Sequence, residues 1–153
     1  MLYYMVRKEE MRQPVRICVV DGQGGGIGAA VIKRLKEVYQ EEHEIIALGT
    51  NAIATAQMLK ARANRGATGE NAIVQTVATA DIIIGPIAVI LPNAMMGELT
   101  PRMAEAIAAA RALKLLLPLT QERVEIVGLK PEPLPHLVEH IVSSRLKEIV
   151  QDV

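Results

Sequence analysis

Gly22, Gly24, Gly25, Gly26 and Gly28 fall within seven residues, directly after the apolar run 15–20 and Asp21, and the chain resumes as Ile27-Gly28-Ala29-Ala30-Val31-Ile32. A strand that breaks into bare backbone and restarts as a helix presents unscreened N–H groups to an anion, most often a phosphate. Those five glycines are therefore candidate contacts for a small phosphorylated ligand. Asp21, at the end of the strand, has two readings: it accepts the turn's own amides, or it meets a ligand hydroxyl and acts as a base. A P-loop would close with Gly-Lys-Ser/Thr, and Gly28-Ala29-Ala30 supplies neither the lysine nor the hydroxyl, which excludes that chemistry.

A dinucleotide fold expects an acid at the end of its second strand, about 20 residues on, to hold the ribose. Here the chain reads Leu48-Gly49-Thr50-Asn51. Neutral Thr50 and Asn51 can bond a hydroxyl or a second phosphate, and they predict weak discrimination between NAD and its 2′-phosphorylated form. The glycine-rich stretch 65–69 returns the chain toward the same edge, which adds Glu70 and Asn71 to the candidate crevice, with Asn93 and Glu98 as a far wall. The cofactor is left open between NAD(P) and another nucleotide. Gly22, Gly26, Ile27 and Gly28 resemble the glycine pattern of short-chain dehydrogenases, but no Tyr-three residues-Lys pair follows the loop.

Other groupings carry less. His136-Leu137-Val138-Glu139-His140 spells H-x-x-E-H, yet only Glu148 and Asp152 remain downstream as a third ligand, so two surface histidines on a terminal helix and no metal site are expected. Cys18, the sole cysteine, lies inside an apolar strand and reads as a small hydrophobe. Lys plus Arg equals Asp plus Glu at 17 each, and the aromatics are three tyrosines, so neither a basic stripe nor stacking platforms mark a nucleic-acid surface. No apolar stretch approaches the ~20 residues of a membrane span, and the expected location is the cytoplasm.

The elements that must position these groups follow from periodicity. β-branched runs at 15–20, 44–48, 81–84, 113–117 and a shorter one at 124–127 alternate with helical patterns at 27–39, 52–63, 71–79, 101–112 and 134–150. Strands apolar on both faces predict a single small doubly wound, Rossmann-like parallel sheet in three layers, spanning 15–153 after a charged extension at 1–14. Thr100-Pro101 marks one helix start; Gly49, Gly85 and Pro118 mark stops. The segment 85–97 is too apolar for a solvated loop, and it reads as a flap, a homo-oligomer contact or core packing.

Over residues 15–142 the chain resembles a small family of bacterial proteins known only as a domain of unknown function. The likeness rests on Val20-Asp21-Gly22-Gln23-Gly24-Gly25-Gly26-Ile27-Gly28, Ala47-Leu48-Gly49-Thr50-Asn51-Ala52-Ile53-Ala54-Thr55 and Gly66-Ala67-Thr68-Gly69-Glu70-Asn71-Ala72-Ile73. It implies a Rossmann-like fold and brings no activity. Three roles remain open: a nucleotide-binding protein of unassigned role, a non-catalytic homo-oligomeric sensor, and a small reductase or transferase using Asp21 or Glu70.

Overall fold

Five short strands carry the β-branched runs: β1 (Arg16–Asp21), β2 (Glu44–Gly49), β3 (Arg65–Thr68), β4 (Ile82–Pro86) and β5 (Leu113–Leu117). The structure, a computed structural model, describes residues 14–150, so the extension expected at 1–14 lies, but for Pro14, outside the described residues. All pairings are parallel and the order is β3-β2-β1-β4-β5. The chain thus winds outward from β1 to β3 and then returns to the other side of β1. That reversal opens a crevice between the carboxyl ends of β1 and β4, where open α/β sheets bind their ligands.

Both faces of the sheet are covered, as its apolar strands require. On one face α1 (Gly26–Tyr39), α2 (Ala52–Lys60) and a terminal helix pack over Ile17, Val19, Ile45, Ala47, Ile82 and Ile84. On the other, α3 (Glu70–Val77), a 3₁₀ turn (Ile87–Ile90) and α4 (Pro101–Ala109) cover Cys18, Val20, Ile46, Leu48 and Ile83. Alternate residues of β1 therefore feed two separate cores, in keeping with the strand period of two. The α4 start is the one the sequence marks: Thr100 Oγ1 accepts the Met103 amide at 3.2 Å, and Pro101 takes the first helical position.

The terminal helix runs as α5 (Leu134–Glu139), a π-helical turn (His140–Arg145) and α6 (Leu146–Val150). At the wide turn the buried Tyr39 hydroxyl of α1 donates to the Val142 carbonyl at 2.7 Å.

Two expectations need correction. The run 124–127 is not a strand: its residues lie in a long irregular connection after β5, and Val127 is 92% exposed. Its three β-branched side chains are bounded by Gln121-Glu122-Arg123 and Gly128, and Glu122 ties the connection to the Met95 amide at 2.9 Å. The stretch 65–69, expected as a glycine-rich return loop, instead supplies strand β3, which pairs with β2 from Ile46↔Arg65 to Gly49↔Thr68. It does end at the carboxyl edge, as expected.

His43 gives the fold a pH dependence. Its Nδ1 accepts the Val15 amide at 3.3 Å, while its buried Nε2 has no partner among the described residues. Burial holds the imidazole below its ordinary pKa of 6.5, against the weaker opposing pull of Glu42. The folded state thus takes its proton later than the unfolded one. Stability contributed by neutral His43 is present above about pH 6.5 and is lost as pH falls toward the folded value. The urea midpoint should fall further between pH 7.5 and 5.5 for the wild type than for His43→Gln, which removes this imidazole alone; equal falls would reject the assignment.

Candidate functional site

The glycine loop links β1 to α1 and divides into packed and open positions. Gly22, Gly25 and Gly28 are buried, whereas Gln23, Gly24 and Gly26 are exposed. Gly25 has φ 73, and a Cβ there would lie 2.8 Å from both Cα and the carbonyl oxygen of Ala54 in α2. A Cβ on Gly28 would press on Met58, and one on Gly22 on Thr50 and Met95. At Gly24 and Gly26, by contrast, an added Cβ would meet no atom within 4 Å, and neither residue has a positive φ. Their amides donate to no acceptor among the described residues.

Asp21 organises the loop from beneath. Its Oδ1 accepts the Gly22 amide at 2.8 Å and its Oδ2 the Gly28 amide at 2.7 Å, with the Ile27 amide also directed at the carboxylate. This is the turn-pinning role of the two read from sequence. Burial raises the Asp21 pKa above its ordinary value; the three amides pull it down, and the Glu98 charge adds a small push upward.

At the tip of β2 the neutral pair meets an acid after all. Glu98, from the connection between β4 and α4, places one oxygen, Oε1, against the Gln23 amide at 3.0 Å, Thr50 Oγ1 at 2.7 Å and Asn51 Nδ2 at 2.7 Å. Asn51 also caps α2, accepting the Ala54 amide on Oδ1 at 2.9 Å, and donates to the Gln23 carbonyl at 3.0 Å. Glu98 Oε2 accepts no hydrogen bond among the described residues. Partial burial pushes the Glu98 pKa up, but the Thr50, Asn51 and Gln23 donors outweigh it and the carboxyl stays below its usual range.

Glu70 and Asn71 sit one element away. Glu70 opens α3, accepts the Thr100 hydroxyl at 2.6 Å and lies 3.9 Å from the Arg102 guanidinium, so its carboxylate is engaged at the start of α4. Asn71 is exposed in the first turn of α3. Neither is bonded to the glycine loop. In segment 85–97, Ala88, Val89, Ala94 and Met95 are buried in the second core, as the core-packing reading expects, whereas Pro92, Asn93, Met96 and Gly97 are exposed.

A cavity of about 320 Å³ occupies the β1/β4 crevice beside the loop. Its walls include Asp21, Gln23, Ile27, Pro86, Met95 and Glu122. Glu122 belongs to the long connection 118–133 and accepts the Met95 amide at 2.9 Å, which holds that connection as a roof. A second hollow of about 260 Å³ lies farther out beneath the same connection. Sequence reasoning passed over Gln23 and Glu122. The length of the connection without periodicity was the available signal, since irregular loops longer than ~12–15 residues are usually functional or disordered.

Among the described residues no cluster of three or more His, Cys, Asp or Glu side chains is arranged to hold a metal, and His136 and His140 are exposed. Glu139 between them is bonded by Arg34 at 2.8 Å. Cys18 is fully buried and its thiol is pushed up to about 12 by desolvation, which makes it inert as a nucleophile. No described helix is long and apolar enough to cross a membrane.

No curated protein matches the chain. A family model does: residues 16–151, from the first strand through the terminal helix, match the family described as Domain of unknown function (DUF3842). The matched span contains the glycine loop, the β2 tip, Glu98 and the roof over the crevice, so the whole site lies within the family's domain. This chain belongs to the DUF3842 family.

Proposed function

We propose that this protein binds a nucleotide or another phosphorylated small molecule across the carboxyl edge of its sheet, with the glycine loop on the phosphate. The observation that carries the reading is the pair Gly24 and Gly26. Neither packing nor φ requires glycine at these positions, and their amides have no acceptor among the described residues. Glycine in such a place is explained by something outside the chain that must come close to the backbone. The crevice volume of about 320 Å³ is at the small end for ligand sites and suits part of a ligand, with the remainder lying along the open loop.

A binding role is favoured over proton transfer at Asp21, whose carboxylate already serves buried amides of Gly22 and Gly28. Glu70 is likewise engaged by Thr100. The test is Gly26→Val. Because a Cβ at Gly26 meets no atom within 4 Å, the variant is expected to keep its fold, which circular dichroism and the thermal midpoint check. Calorimetric affinity for whichever of ATP, NAD or NADP the wild type binds should drop about tenfold or more. A folded Gly26→Val protein that binds all three as the wild type does would remove the phosphate-loop reading.

A further inference from the structure

We propose that Glu98 is the ribose-binding acid of this site, and that it selects a nucleotide with a free 2′,3′-diol over one carrying a 2′-phosphate. The proposal rests on the nucleotide reading above and specifies its ligand. In dinucleotide folds the diol is held by a carboxylate that projects from the second strand's tip. Here that tip is Thr50-Asn51, both neutral, yet the same place is occupied by a carboxylate brought in from between β4 and α4.

The geometry divides the two oxygens of Glu98. Oε1 is filled by the Gln23 amide, the Thr50 hydroxyl and the Asn51 amide group, which fix the side chain against the glycine loop and the β2 tip together. Oε2 is left with no protein donor. An ionised carboxylate is an acceptor only, so the open oxygen suits a group that donates, and a ribose diol offers two O–H donors. A 2′-phosphate at the same point offers acceptors and negative charge. Among the described residues no lysine or arginine forms an ion pair with Glu98, and Arg102, four residues on, lies 3.9 Å from the carboxylate of Glu70 instead. Asp21 is a second acidic group near this point, close enough to feel the Glu98 charge. The Gln23 amide is part of the holding set, so the ribose acid and the phosphate loop are coupled: moving one moves the other.

Glu98→Gln isolates this function. Its side-chain oxygen can still accept from Gln23, Thr50 and Asn51, while an NH₂ group replaces the open oxygen and cannot accept. Calorimetry on the full chain with NAD, NADP, ADP and 2′-deoxy-ADP reads the outcome. The wild type should bind NAD at least about tenfold more tightly than NADP, and ADP more tightly than 2′-deoxy-ADP. In Glu98→Gln both preferences should collapse, by weaker NAD binding with NADP unchanged or improved. Equal wild-type affinities for NAD and NADP, or preferences that survive the substitution, would overturn the assignment of Glu98 and leave nucleotide binding standing. Tighter binding of every nucleotide by the variant would also overturn it, because Glu98 would then be an internal anion covering the loop. A wild type that binds none of the four would overturn both readings at once.

Discussion

Gly25→Ala is expected to lower folding stability by about 2–5 kcal/mol, combining the ~1–2 kcal/mol cost of a left-handed conformation with the ~1–3 kcal/mol of an overpacked contact. The φ of 73 excludes the first part from relief by side-chain motion, and the contacts at 2.8 Å are to backbone atoms of Ala54, so the second is relieved only by moving α2. Urea unfolding followed by far-ultraviolet circular dichroism measures it. Gly26→Ala, one residue on, should be neutral or slightly stabilising, because its Cβ meets open space and alanine is the better helix former. The two adjacent substitutions thus separate a glycine needed by the protein from one left free for a ligand. A Gly25→Ala protein as stable as the wild type would show that α2 yields easily, and the loop would then be no rigid platform.

Asp21→Ala should cost about 2–4 kcal/mol, since it strips the acceptor from the buried Gly22 and Gly28 amides and each unsatisfied buried donor is worth ~1–3 kcal/mol. Asp21→Asn keeps one acceptor oxygen and turns an NH₂ toward the other amide, so it should lie between the wild type and alanine. The sign of the pH effect follows from burial. With its folded pKa raised above 3.8, the Asp21 contribution is fully present below that value and declines as pH rises through the folded pKa, opposite to His43. Comparing Asp21→Asn with the wild type across pH 3.5–6 measures that slope. If Asp21→Ala unfolds at the wild-type midpoint, the carboxylate does not hold the loop, and a ligand or catalytic role becomes the better account of it.

How far the sequence could be read depended on whether the signal was local. The β1–loop–α1 unit was legible because strand, glycines and helix follow one another, and Thr100-Pro101 announced α4 by cap chemistry alone. Strand β3 was not legible: Arg65-Gly66-Ala67-Thr68 has no apolar run, and what makes it a strand is the open β2 edge it completes. The run 124–127 failed in the opposite way: its residues are strand-like, yet they do not pair with the outer edge that β5 leaves open. The acid at the β2 tip was hidden by distance. Glu98 meets Asn51 from 47 residues away, so local spacing predicted a neutral β2 tip where folding places a carboxylate.

Tyr39 has a consequence for watching this protein at work. The chain has no tryptophan or phenylalanine and three tyrosines, of which Tyr3 and Tyr4 lie outside the described residues. Tyr39 is 1% exposed, with its phenol clamped between α1 and the Val142 carbonyl of the terminal helix. Near-ultraviolet dichroism from this ring is therefore a native optical gauge of that helix seating against α1, the same helix whose first turn carries the glycine loop. If the terminal helix peels away as a separate unit, that signal should fade while the far-ultraviolet signature of the sheet persists, without any label being introduced.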